Sequence, residues 1–91
     1  MTYNPRIDPQ ILFGQRVVQL RKVLGWSQEK LALESGLARS YVGGIERGQR
    51  NIALVNICIL AATLGVPPNE MLNFETVSKP EKKSSAPTAE K

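Results

Sequence analysis

An all-α fold of five helices is what this chain predicts, and three observations predict it. Asp8-Pro9 opens a run whose apolar residues recur at helical spacing. Two short helix-like runs meet at Gly36 within residues 27–51, and residues 53–64 form an apolar segment stopped by Gly65. The chain has 91 residues, which allows one domain. A folded core of roughly 60 to 70 residues is near the lower size at which a single hydrophobic centre suffices without metal or disulfide staples.

Residues 1–8 lack periodicity and contain Pro5, so they read as an N-terminal arm. Asp8 can accept the orphan N–H groups of the first helix, and Pro9 at its first position gives up no needed donor. Phe13, Val17, Leu20 and Leu24 then fall on one helical face, and Gly25 ends the helix by permitting a left-handed turn. Ser27 is a good N-cap for the second helix, with Glu29 in the first turn, where the helix dipole favours negative charge. Its narrow inner face is Leu31, Ala32 and Ser35, it stops near Gly36, and Leu37 plugs the core at the turn. The third helix is expected over residues 39–47, burying Val42 and Ile45, with Gly48 closing it.

The fourth helix, expected over residues 53–64, is unusual. Ile57, Leu60, Ala61 and Leu64 form an inner face, but Val55, Ile59 and Ala62 form a second apolar stripe with no charge in either. A helix apolar nearly all round is buried on both sides, and a domain this small cannot cover the second stripe alone. A short fifth helix over residues 68–72 returns Met71 or Leu72 to the core, completing a domain over residues 9–74. Residues 75–91 contain almost nothing apolar and read as a disordered tail.

Composition narrows the functional classes. With one cysteine, Cys58, and no histidine there is no internal disulfide and no zinc site to assemble, and no cofactor is expected. A reducing cytoplasm fits this usage. No signal-peptide pattern opens the chain, and the longest nearly uncharged run, residues 51–69, is interrupted by Asn56, Thr63, Gly65 and two prolines, so no membrane span is expected. An enzyme is disfavoured, because paired carboxylates in a pocket-forming segment and a phosphate-cradling glycine loop are both missing. The net charge of +4 is compatible with a polyanion partner. Its distribution is more telling: Arg39, Arg47 and Arg50 stand against Glu46 alone between residues 39 and 51, whereas the tail is nearly balanced.

Two helices meeting at Gly36 and followed by long basic side chains outline a helix-turn-helix. The run Leu24-Gly25-Trp26-Ser27-Gln28-Glu29-Lys30-Leu31-Ala32, the turn Ser35-Gly36-Leu37, the segment Tyr41-Val42-Gly43-Gly44-Ile45-Glu46-Arg47-Gly48 and Leu64-Gly65-Val66 resemble the phage repressor and Cro-like helix-turn-helix proteins, often called the XRE family. The resemblance spans roughly residues 10–73, and four motifs in order at matching spacings make it specific. It implies a lambda-repressor-like fold and a transcriptional regulator. Ile45-Glu46-Arg47-Gly48 with Arg50-Asn51 and the small size look like the stand-alone members, which include the controller proteins of restriction-modification systems.

In such a motif the third helix enters the major groove with its leading turn against base edges, while the second lies across the backbone. Arg39 and Ser40 occupy that leading turn and are the expected base contacts, Arg39 gripping guanine with two hydrogen bonds. Gln28 at the start of the second helix, with Tyr41, Arg47, Arg50 and Asn51 around the third, are the expected backbone contacts. Each could instead be an ordinary solvated residue. The resemblance also implies a structural ion pair between Arg21 and Glu46, and a core position for Trp26. Gly43 and Gly44 are costly in a helix and point to a close approach, either to the groove or to the second helix. Ala38, Ala53 and Pro67 stand where relatives often carry a serine or threonine cap, so the last three helices must lean on tertiary packing.

The expected assembly is a homodimer through Val55, Ile59, Ala62 and Met71, bound to double-stranded DNA at an inverted repeat. RNA polymerase is a further candidate partner, and control by protein concentration is expected. Phage or plasmid repression and an antitoxin role share the same signature. The alternative from another class is a protein adaptor that uses the fourth helix and has little affinity for DNA.

Overall fold

The computed structural model describes residues 8–77. The expected arm over residues 1–7 and the expected tail beyond Val77 lie outside the described residues. Among the described residues, four α-helices make up the fold: α1 (Pro9–Val23), α2 (Gln28–Ser35), α3 (Arg39–Glu46) and α4 (Leu54–Leu64). Two short 3₁₀ helices follow, Pro68–Leu72 and Phe74–Thr76.

Local chemistry sets most of these boundaries. An Asp8 side-chain oxygen accepts from the Gln10 N–H at 2.9 Å, and Ser27 Oγ accepts from the Lys30 N–H at 3.0 Å. At the corner between α2 and α3, Gly36 adopts φ +78°, a left-handed conformation that a residue with a Cβ reaches only at a cost. Ser35 Oγ donates to the Ala32 carbonyl and accepts from the Leu37 N–H, both at 3.2 Å, so its half-buried hydroxyl stitches the turn and adds little to the core. Ala38 and Ala53 provide no side-chain cap for α3 and α4, which leaves those helices dependent on what they bury.

The core gathers Phe13 and Val17 of α1, Leu31 and Ala32 of α2, Val42 and Ile45 of α3, Leu60, Ala61 and Leu64 of α4, and Met71. Trp26, Leu37 and Ile57 pack against its edge. α1 lies on α3 and on the Pro68–Leu72 helix, while α2 lies on both α3 and α4. The α1–α3 approach is extremely close at Gly14. A Cβ there would run into the backbone carbonyl oxygen of Ile45 and come within 2.7 Å of that of Glu46.

Three sequence expectations are corrected. Leu24 is 43 % exposed because α1 ends at Val23 before the apolar stripe is complete, and Trp26 packs against the core beyond the turn. The fifth helix is a 3₁₀ helix: five residues opening on Pro68 close through i→i+3 bonds such as Asn73 N–H to the Glu70 carbonyl. Met71 is completely buried, so it cannot supply an exposed dimer surface, and its neighbour Leu72 faces out at 52 % exposure. An unbranched thioether fills an irregular core gap readily. The Phe74–Thr76 turn, at the expected domain edge, is tied down by an arginine.

That arginine, Arg16, is the one buried charged residue among those described. Its guanidinium donates to the Glu70 carbonyl and the Glu70 carboxylate, each at 2.7 Å, to Gln19 Oε1 at 2.5 Å, and to Thr76 Oγ1 at 3.3 Å. Gln19 Nε2 adds a bond to the Thr76 carbonyl. The C-terminal segment is thereby stapled to α1.

Gly14→Ala tests the α1–α3 contact against helix propensity. Alanine is the better helix former by about 1 kcal/mol, yet overpacking against fixed backbone costs about 1–3 kcal/mol. A lower Tm by several degrees is expected in a thermal melt; an unchanged or raised Tm would contradict the contact.

Candidate nucleic-acid interface

The α2–α3 corner is held by one polar cluster beneath its surface. The Arg21 guanidinium meets Glu46 side-on, Nε to Oε2 at 2.7 Å and Nη2 to Oε1 at 2.8 Å, while Nη1 donates to the Trp26 carbonyl at 2.8 Å. The Glu46 side chain is only 3 % exposed. Its Oε1 also accepts from Gln28 Nε2 at 2.8 Å. Arg21 in the last turn of α1 and Gln28, the first residue of α2, therefore share the carboxylate of the last residue of α3, and Arg21 also holds the entry to α2 through the Trp26 carbonyl. Hydrogen bonding to Glu46 raises the Arg21 pKa above its ordinary value, against burial, which lowers it, and the Glu46 charge adds to the rise.

Above this cluster, the leading turn of α3 is open. Arg39 and Ser40 are exposed, and the Arg39 Nε lies 3.7 Å from a Glu29 carboxylate oxygen in a solvated pair. Such a pair contributes little and exchanges readily for another anion. Further along, the Arg50 guanidinium sits 5.4 Å from the centre of the Tyr41 ring, and the Tyr41 hydroxyl accepts from Asn56 Nδ2 of α4 at 3.0 Å. Arg47 Nε donates to Gln49 Oε1 at 3.1 Å. Asn51 is exposed at the start of the connection to α4.

Both glycines of α3 are buried beneath long side chains. A Cβ at Gly43 would lie 3.1 Å from Arg47 Nη1 and 3.5 Å from Gln28 Oε1; one at Gly44 would lie 3.1 Å from Arg50 Cγ. The close approach foreseen for this pair is thus made by two arginines folding back over α3, with Gln28 of α2 beside one of them. Arg39 and Ser40 stand apart at the other end of the helix.

A second surface lies on α4. Val55 is 69 % exposed, Leu54, Cys58 and Ala62 are exposed, and Ile59 is half-buried. Leu72 is exposed as well. Among the described residues no group of three or more His, Cys, Asp or Glu could hold a metal, and no helix is long and apolar enough to cross a membrane.

Sequence reasoning missed three polar residues here. Arg16 was legible only as a charge beside Val17 on the inner side of α1. Asn56, which holds Tyr41, signals itself as the one amide in an apolar helix. The double use of Glu46, by Arg21 and by Gln28, has no local signature.

Two eight-residue helices joined by a glycine corner, with the second exposing a basic leading turn, define a helix-turn-helix protein. The helix-turn-helix family model HTH_3 matches residues 17–71, and the chain belongs to that family. Control protein C.BamHI of Bacillus amyloliquefaciens is 46 % identical over 84 residues, covering 91 % of this chain and 99 % of that protein. The solved restriction-modification controller protein C.AhdI from Aeromonas hydrophila is 58 % identical, covers 68 % of this chain and 94 % of its own, and superposes with a TM-score of 0.67. The biofilm master regulator SinR, solved in complex with DNA, is 35 % identical with a TM-score of 0.64, over 67 % of this chain and 98 % of its own. The chain is thus similar to two control proteins and to a regulator solved on DNA, each over two thirds or more of its length.

Glu46→Gln removes the charge opposite Arg21 while keeping the side-chain shape. A loss of about 2 kcal/mol is expected from the charge-assisted bonds, which lowers Tm by roughly 8–16 °C in a domain of this size. An unchanged thermal melt would contradict the structural weight placed on the pair.

Proposed function

We propose that this DNA-binding regulator acts as a homodimer on an inverted-repeat operator, and that it controls restriction-modification genes. One observation carries the DNA geometry: Arg39 and Ser40 project from the open leading turn of α3, and Gln28, Tyr41, Arg47, Arg50 and Asn51 place polar and basic side chains at the start of α2, along α3 and in its exit loop. With α3 in the major groove, Arg39 and Ser40 meet base edges and the flanking five hold phosphates. The Arg39 fork suits guanine O6 and N7. The site of action is the cytoplasm.

The dimer reading rests on α4. Val55, Ile59 and Ala62 make a contiguous apolar stripe on the side of that helix away from Leu60, Ala61 and Leu64, with Leu54 and Cys58 exposed on the same helix. Pairing two copies there places two α3 helices for successive major grooves, about 34–36 Å apart. The restriction-modification role is supported by the likeness to C.BamHI and C.AhdI along nearly all of their lengths.

Two measurements test the assignment together. Binding to duplex DNA weakens steeply with salt, because each neutralised phosphate releases condensed counterions. Arg39→Ala flattens sequence preference at one base pair per half-site by about 1–3 kcal/mol and leaves binding to unrelated duplex little changed. Binding that survives high salt and ignores Arg39 would overturn this reading in favour of a protein adaptor built on α4.

A further inference from the structure

Glycine inside a short helix is a standing cost, and α3 carries two in succession among only eight residues. What occupies the space left at Gly43 is specific. The Arg47 guanidinium and Gln28 Oε1 both come within 3.5 Å of the point where a Cβ would stand. Gln28 is held in that place by its bond to Glu46, and the Glu46 charge is met by the Arg21 fork.

We propose that Gly43 is a positioning residue for DNA binding: its missing side chain lets the Arg47 guanidinium fold back over α3 beside Gln28, so that both donors reach one phosphate. The inference rests on the DNA-binding reading above and deepens it. The donors are suited to that anion. Gln28 Nε2 gives one hydrogen to Glu46 and keeps the other; Arg47 gives its Nε–H to Gln49 and keeps the Nη donors. Gln28 also opens α2, whose first N–H groups and positive dipole end face an anion favourably. Glu46 would repel a phosphate at this spot, but its charge is already compensated by Arg21.

A Cβ at 3.1 Å from Arg47 Nη1 meets the far end of a flexible side chain, so the arginine moves and the helix does not. The contact to Gln28 Oε1 at 3.5 Å is ordinary and tolerates the methyl group. Stability and DNA affinity should therefore part company at this position. Gly44 lies under Arg50 instead and plays no part in this clamp.

The test is a titration of the full chain with mixed-sequence duplex DNA long enough for two half-sites, run beside a thermal melt. Gly43→Ala should keep or raise Tm, weaken binding roughly tenfold, and make the salt dependence shallower by about one counterion per protomer. Arg47→Ala should give the same losses, and adding Gly43→Ala to it should cost nothing more. Wild-type affinity and salt slope in Gly43→Ala would overturn the proposal. So would a further loss in the Arg47→Ala background, which would mean that the methyl group meets DNA directly. If the unaltered chain itself fails to bind the duplex, the DNA reading falls and the proposal falls with it.

Discussion

The contact between Arg21 and Glu46 is the constraint on which the motif depends. Glu46 is nearly inaccessible, so its carboxylate has exchanged water for protein donors. Such an exchange is favourable only when the geometry is good and the remaining lone pairs are used. Here the fork is two-pronged, Gln28 takes a further acceptor site, and the remaining Arg21 donor reaches the Trp26 carbonyl. One ion pair thus ties α1 to the end of α3, holds the entry to α2, and positions the Gln28 side chain at the start of α2. The carbonyl approach at Gly14 works in the same place, since it allows α1 to come close enough for Arg21 to reach.

The local signals were readable because they act within a few residues. Asp8-Pro9, Ser27, Gly36 and Gly65 mark helix ends by capping chemistry, and the helical spacing of Phe13 and Val17, or of Leu60, Ala61 and Leu64, picks out the core side. What the chain hid is non-local. Arg16 reads as a surface cation until Glu70 and Thr76 return from more than fifty residues away to surround it. The choice between Met71 and Leu72 turns on the tighter winding of the Pro68–Leu72 segment, for which hydrophobic pattern alone carries no cue. Gly43 and Gly44 announced a close approach, but its partners, Arg47 and Arg50, come from the exit of the same helix.

The two surfaces have opposite physical characters, and each is legible in why it stays uncovered. Around α3 the charges are solvated and paired only loosely, as at Arg39 and Glu29, so they can be transferred to phosphate or base at little cost. Along α4 the exposed residues are aliphatic, and water gains by their removal. In the proposed assembly these characters divide the work: the apolar stripe sets the spacing and symmetry of two recognition helices, and the basic corner reads and grips DNA. A single copy would contact half a site through one eight-residue helix, with few bases in reach.

The most direct test of that division is selection of bound duplexes from a random-sequence pool by the unaltered chain. The account predicts enrichment of an inverted repeat whose half-site centres are about one helical turn apart, or a multiple of it, with two protomers bound per duplex. Enrichment of a single asymmetric element holding one protomer, or no enrichment over the starting pool, would contradict it.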